Sequence, residues 1–257
     1  MKTALIRFLD WFLTRSGLQY WPVRVRAGVA SGARWTLYPW SAYWRGTQEP
    51  ELHQAMLGLG DISGWSCWDL GAHFGIYSIG LARRTGPAGE VAAFEPNPVS
   101  YARLERHRRT NRITWMRAFE AAVSDQAGTA ELLTYGDLRS TTTHLAYENE
   151  TPGAVTQPVG VRTVVLDELV ASGQLRPPDF IKVDVEGHAH KALAGARWTL
   201  AAKRPVLIVA FHSEPEVQGV LDLLSPLGYG HTPIGADTRD TQSMIGRDLL
   251  FRPMSRP

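Results

Sequence analysis

Four carboxylates and two histidines stand where apolar runs of this chain stop. Asp69 lies in Cys67-Trp68-Asp69-Leu70-Gly71-Ala72-His73-Phe74-Gly75, and Glu95 follows Val91-Ala92-Ala93-Phe94. Asp184, Glu186 and His188 follow Ile181-Lys182-Val183, and His212 follows the apolar residues 205–211. Such groups can accept hydrogen bonds from hydroxyls, hold a cationic group or take up a proton. Gly71 and Gly75 lack the Cβ that would keep a ligand off the backbone and the next helix off its strand. Glu95 comes about 25 residues after the first acid, the reach of one strand–helix–strand unit, where a carboxylate can accept from both hydroxyls of a ribose.

The loop reads D-x-G-x-x-x-G, whereas a dinucleotide fingerprint would read G-x-G-x-x-G. Negative charge from Asp69 would repel a pyrophosphate at the helix start but can order an amino group or a sulfonium-bearing tail. S-adenosylmethionine therefore fits the loop better than NAD, and an NAD(P)-dependent oxidoreductase is the second reading. Asp184 with Glu186 could hold a hard divalent cation, but no third and fourth ligand are apparent, so a metal is not favoured. An imidazole, with its ordinary pKa of about 6.5, suits a general base. His188 and His212 are the candidates, with Asp184 and Glu186 orienting acceptor or cofactor. Each histidine also reads as a packing residue, at a helix start or a strand end.

These residues need a scaffold that brings strand ends together. Residues 65–69, 90–94, 179–184 and 205–211 read as strands, with 75–84, 98–110, 189–200 and 216–227 as helices between and after them. That alternation predicts an α/β fold on a mostly parallel sheet, whose ligands lie at the carboxyl ends of the strands. Residues 113–116, 121–123, 128–134 and 159–165 add strand material, with a short helix at 166–170. Residues 136–158, rich in Thr, Pro and Gly without periodicity, read as a candidate lid or a surface excursion. The tail from Tyr229 predicts two antiparallel strands, the last over 248–251.

The chain divides into a Trp- and Arg-rich appendage, 1–60, and a ligand-binding domain, 61–257. Leu5, Phe8, Leu9, Phe12 and Leu13 fall at helical spacing, so the appendage reads as a helical cap, with membrane-surface or dimer contact as other uses of that face. Arg7, Asp10 and Arg15 interrupt any signal-peptide core, and no apolar run is long enough to span a bilayer. With 27 basic against 25 acidic residues, general polyanion binding is not expected. Arg103, Arg106, Arg108, Arg109 and Arg112 accordingly read as a solvated helix face, and no nucleic-acid partner is expected. The single cysteine, Cys67, excludes an intrachain disulfide framework and suits a cytoplasmic protein.

Five motifs in order also resemble one family. Trp68-Asp69-Leu70-Gly71-Ala72-His73-Phe74-Gly75-Ile76-Tyr77-Ser78, Phe94-Glu95-Pro96-Asn97-Pro98, Ala122-Val123-Ser124-Asp125, Val165-Leu166-Asp167 and Ile181-Lys182-Val183-Asp184-Val185-Glu186-Gly187-His188 resemble the FkbM family of S-adenosylmethionine-dependent methyltransferases over about 65–212. The resemblance implies a Rossmann-like class I methyltransferase fold and O-methylation of a sugar or natural-product hydroxyl, a small-molecule acceptor. It implies that Asp69, Gly71, Ala72 and Gly75, with His73 and Tyr77 of the same run, surround the methionine moiety. Glu95 would hold the ribose, Pro96 and Asn97 would flank the adenosine, and Ala122, Val123 and Ser124 would border the adenine. Asp184 would stand nearest the amino group or the transferring methyl, and Glu49 would face the pocket from the cap. Two departures stand out: His73 replaces the common Asn, and Ala210 stands where many members carry Glu. The second leaves open a methyltransferase-like binding protein without chemistry. Oligomeric state stays open.

Overall fold

A computed structural model describes residues 15–17, 20–36, 43–134, 143–145, 158–235 and 243–254. The chain enters through a two-stranded antiparallel ladder, β1 (Pro22–Arg24) and β2 (Arg34–Thr36), and a helix α1 (Pro50–Leu57). The alternating part follows: β3 (Ser66–Leu70), α2 (Ile76–Thr85), β4 (Glu90–Phe94), α3 (Pro98–Thr110) and β5 (Met116–Phe119). An insertion then supplies β6 (Ala122–Val123), β7 (Gly128–Thr134), β8 (Thr143–Leu145) and β9 (Val159–Val164). After α4 (Leu166–Ala171) come β10 (Phe180–Val183), α5 (Ala189–Ala194), α6 (Arg197–Lys203), β11 (Val206–Phe211), α7 (Glu214–Leu224), β12 (Tyr229–Pro233) and β13 (Arg247–Pro253).

Seven strands form the central sheet in the order β12-β13-β11-β10-β3-β4-β5. Strands β3, β4, β5, β10 and β11 run parallel, while β13 is antiparallel to β11 and to β12. Buried on both faces, β10 reads as the continuous run Phe-Ile-Lys-Val. The order reverses between β3 and β10, and that switch point is where an open sheet leaves a crevice. The expected α/β architecture, with an antiparallel C-terminal strand, is the one found.

Several local expectations shift. The strand expected at 113–116 is β5, three residues later, with Ile113 buried before it. Residues 122–123 leave the main sheet to pair with β9 in a second, four-stranded sheet. The helix expected over 189–200 is broken into α5 and α6. A Cβ at Gly195 would stand 2.2 Å from the Ser124 carbonyl oxygen, so the chain turns where it touches that strand end. Asp167 then starts α6 by accepting from the Trp198 and Thr199 amides, both at 2.9 Å. The helical cap contains the β1–β2 ladder, which its pattern did not signal; the apolar stripe 5–13 lies outside the described residues. So does most of the expected lid at 136–158, apart from β8, which pairs with β7.

The cap shares a core with the sheet. Trp35 stacks on His107 of α3 with ring centroids 3.5 Å apart, and Trp35, Leu52 and Met56 are buried with Ile79 and Val91. The Phe74 carbonyl can only accept, so His107 Nδ1 carries the proton and donates to it at 2.8 Å. His107 Nε2 then accepts from the Thr36 hydroxyl at 2.7 Å. One neutral imidazole thus pins the cap to the glycine loop.

At the switch point the strand ends are locked together. A Cβ on Gly71 (φ +81°) would fall 1.8 Å from the Asp184 carbonyl oxygen, so only glycine fits. The Gly71 and Ala72 amides both donate to the Phe94 carbonyl, at 3.0 and 2.9 Å, and Asp184 N donates to Leu70 O at 2.9 Å. Below this junction Lys182 is fully buried, with Nζ 3.1 Å from Asp184 Oδ2 and 3.8 Å from Asp69 Oδ1. Ser78 Oγ donates to Asp69 Oδ2. Burial opposes a charged lysine, but the two carboxylates outweigh it and hold Lys182 protonated. Removing one member leaves buried charge uncompensated, so Lys182→Met is expected to cost about 3–5 kcal/mol in denaturant unfolding. The double variant Lys182→Met/Asp69→Asn is expected to recover part of that loss.

Candidate active site

A cavity of about 500 Å³ opens at the carboxyl ends of β3, β4 and β10, within the roughly 300–1,000 Å³ range of small-molecule and cofactor sites. Its three surfaces differ in chemistry. One side is the glycine loop with Glu95; the second is apolar, built from Phe94, Pro96, Ala121, Ala122, Val123 and Leu132. The third is polar and carries Glu49, Tyr77, Lys182, Asp184, Glu186 and His212.

Glu95 is buried where β4 ends. Its Oε2 accepts from the His73 amide at 2.6 Å and its Oε1 from the Asn97 amide at 2.8 Å. Each oxygen therefore retains acceptor capacity for another donor. Burial pushes its pKa up to about 7, against the pull of those two amides. His73 takes a left-handed backbone (φ +49°) to present its amide there, and its ring stacks on Phe74 at 3.7 Å. Burial lowers the His73 pKa to about 4, so the ring is neutral at pH 7. His73 Nε2 is buried in this wall without a hydrogen-bond partner among the described residues.

At the polar end, His212 sits between two acids, with Nε2 3.2 Å from Asp184 Oδ1 and Nδ1 3.4 Å from Glu186 Oε2. Burial lowers its pKa, but the Asp184 hydrogen bond and the Glu186 charge more than reverse this, and the net shift is upward. Burial likewise works against the Asp184 anion; Lys182 and His212 overcome it and hold Asp184 well below the usual carboxylate range. His188 stands apart, its Nε2 3.0 Å from Ser124 Oγ, and burial drops its pKa to about 4. Glu216 of α7 fixes both histidine segments: its oxygens accept from the His212 amide at 2.7 Å and the Ala189 amide at 2.9 Å. The cap contributes Glu49, held at φ +48° just before Pro50, whose Oε2 accepts from the Tyr77 hydroxyl of α2 at 2.5 Å.

Most residues singled out in the sequence meet in this one cavity: Glu49, Gly71, Ala72, His73, Tyr77, Glu95, Pro96, Ala122, Val123, Asp184, Glu186, His188 and His212 line it. Four others do not line it; one of them, Ser124, is engaged through its Oγ with His188 and Asp125. Asp69 is completely buried against Ser78 and Lys182; Gly75 (φ +87°) packs on Leu104; Asn97 caps α3, its Oδ1 accepting from the Val99 and Ser100 amides. The Asp69 and Asn97 side chains are consumed by protein contacts, and Gly75 lets Leu104 pack against its bare Cα, so these three support the loop from beneath. Sequence reasoning missed Lys182, Tyr43 and Glu216. A lysine inside an apolar strand was a visible signal for the first, since buried charge requires a partner. The others come from distant segments and carry no local signal. Among the described residues, no group of three or more His, Cys, Asp or Glu is arranged to hold a metal ion. No described helix is long and apolar enough to cross a membrane.

Residues 69–230 match the methyltransferase FkbM domain. The chain is 31% identical to a hexuronic acid methyltransferase, AglP, of Haloferax volcanii, over 70% of this chain and 69% of that protein. It is 28% identical to the methyltransferase sdnD of Sordaria araneosa, over 60% of this chain and 70% of that one. Among solved structures it resembles a methyltransferase FkbM from Methylobacillus flagellatus, with a TM-score of 0.51 and 20% identity. That match covers 76% of this chain and 45% of the other. The glycine loop, Glu95 and the Asp184-to-His188 segment lie inside the matched region, and the chain belongs to the FkbM methyltransferase family.

Proposed function

We propose that this protein transfers a methyl group from S-adenosylmethionine to a hydroxyl oxygen of a small-molecule acceptor, a sugar or natural product. The observation that carries the reading is Glu95: a buried carboxylate in the cavity, aimed by two backbone amides, with acceptor capacity left for a ribose diol. The apolar strip Ala121-Ala122-Val123 in the cavity wall suits an adenine, and the acidic end suits an ammonium or sulfonium. The relation to a hexuronic acid methyltransferase supports a sugar acceptor.

When bound, S-adenosylmethionine supplies an electrophilic methyl for in-line displacement. The residues of the chain align and deprotonate the acceptor. His212 is the proposed base: in the neutral ring Nε2–H donates to Asp184, and the lone pair stays on Nδ1, which takes the hydroxyl proton. Asp184 and Glu186, each within 3.4 Å of that ring, stabilise the imidazolium that results. Lys182 keeps Asp184 ionised for this task. His188 has its Nε2 engaged with Ser124, and we read it as a positioning residue.

His212→Ala is expected to lower kcat about 10²- to 10⁴-fold, the range for a lost general base, with binding of S-adenosylhomocysteine unchanged by calorimetry. His188→Ala is expected to lose far less turnover. Because the His212 pKa is raised, wild-type kcat should fall as pH drops through a value above the ordinary 6.5, and Glu186→Gln should move that limb downward. Wild-type kinetics retained in His212→Ala would remove it as the base.

Glu95 gives a separate pH test. Its folded pKa is raised from 4.5 to about 7, so the native state binds the proton more tightly than the unfolded chain. Stability of the ligand-free protein therefore falls as pH rises across that window. Ribose binding needs the anion, so affinity for S-adenosylhomocysteine should weaken as pH falls through about 7. Glu95→Gln is expected to weaken binding at neutral pH and to flatten this dependence; unchanged affinity would overturn the ribose assignment.

A further inference from the structure

Asp248 is a half-buried carboxylate that no part of the site described so far uses. It sits at the start of β13, directly opposite Ala210 of β11. Strands β10 and β11 pair in parallel with Val183 opposite Val209, and continuing that register by one residue sets Asp184 opposite Ala210. Asp184, Ala210 and Asp248 therefore stand abreast at the top of three neighbouring strands. Adjacent strands lie about 4.7–4.9 Å apart, so the two acids flank the alanine with their backbones about 10 Å from each other.

Alternation along the strands shows which way this row faces. Leu207, Val209, Phe211, Leu249 and Phe251 point into one core, while Ile208 and Leu250 point to the opposite side. Ala210 and Asp248 share the side of Ile208 and Leu250, which is also the side of Lys182 and the cavity. Ala210 is only partly buried, so its methyl group leaves a notch between the two acids.

The two carboxylates are in different states. Both oxygens of Asp184 are engaged, one by Lys182 and one by His212. The Asp248 carboxylate makes no hydrogen bond or ion pair with any described residue, yet the charges of Lys182, Asp184, Glu49 and His212 all act on it. Burial, reinforced by Asp184 and Glu49 and opposed by Lys182, pushes its pKa up to about 6, leaving it mostly ionised at neutral pH. A partly desolvated carboxylate without a donor is destabilising unless a donor arrives from outside.

We propose that Asp248 is the acceptor-recognising carboxylate of this site, accepting hydrogen bonds from hydroxyls of a neutral polyol that docks across the Ala210 notch beside Asp184 and His212. The proposal rests on the methyl-transfer reading above and deepens it to a substrate class. A ligand carboxylate at this position would meet like charge from Asp248, Asp184 and Glu186, which Lys182 and His212 offset only in part, so the notch selects neutral sugars over uronates and departs here from the hexuronic acid methyltransferase the chain is similar to.

The test uses the full-length protein saturated with S-adenosylhomocysteine and two probes, methyl α-glucopyranoside and sodium glucuronate, titrated by saturation-transfer NMR. The wild type should bind the glucoside more tightly than the glucuronate. Asp248→Asn should weaken the glucoside at least about tenfold, the scale of a lost hydrogen bond to a charged group, and narrow the gap to glucuronate. Ala210→Leu, which fills the notch and leaves the carboxylate in place, should weaken the glucoside as well. Binding of S-adenosylhomocysteine should match the wild type in both variants, and Asp248→Asn should unfold at no lower temperature than the wild type, because it removes a carboxylate whose ionisation folding disfavours. Unchanged glucoside affinity in Asp248→Asn, equal affinity of the wild type for both probes, or binding of neither would overturn the proposal. Failure of S-adenosylhomocysteine to bind would instead count against the cofactor reading, and the probe titration on the cofactor-free protein would still report on Asp248.

Discussion

The site depends on one buried positive charge. Lys182 lies in the middle of a fully buried strand, where an ammonium group is tolerated only if carboxylates compensate it. Asp69 on the neighbouring strand and Asp184 just beyond its own strand do so, and the three side chains tie β3 to β10 at the switch point. The same arrangement sets the chemistry above it. Asp184 is kept ionised, so it can orient His212 and stabilise positive charge on that ring. A structural ion cluster and a candidate catalytic pair share one carboxylate, with one oxygen turned to the core and the other to the cavity.

Backbone packing supplies the second constraint. Gly71 leaves no room for a side chain against the Asp184 carbonyl, and its amide and that of Ala72 converge on Phe94. The ends of three strands are thereby fixed within hydrogen-bonding distance of one another, and the loop that follows must pass beneath Glu95. His73 and Asn97 then aim that carboxylate through their amides. The cap is part of this frame: His107 holds the Phe74 carbonyl on one side and Thr36 on the other, so the glycine loop is buttressed from the N-terminal segment.

Much of this was legible in the sequence because it is carried by local patterns. Acids and histidines that end apolar runs must cluster if those runs are parallel strands, and Glu95, Asp184, Glu186, His188 and His212 do share one cavity. Asp69 shows the limit of that reasoning. It follows the same pattern, but it stands one residue before its strand ends, so its side chain points into the sheet's packing face. The break between α5 and α6 was hidden for another reason: the contacts that cause it, Gly195 on Ser124 and Asp167 on the α6 amides, join segments about 30 to 70 residues apart. Asp248 was equally invisible, because its relation to Ala210 exists only through antiparallel pairing of the last strand.

Glu216 never lines the cavity, yet the backbones of both histidine segments hang from its two oxygens. The imidazoles are therefore mechanically coupled through the first turn of α7, and neither can be re-aimed without loading the other. That helix is anchored in the core by Val217, Val220 and Leu224. Volume changes at these apolar positions would be transmitted as rotation of the helix start, so the aim of both imidazoles is set from core positions that do not line the cavity.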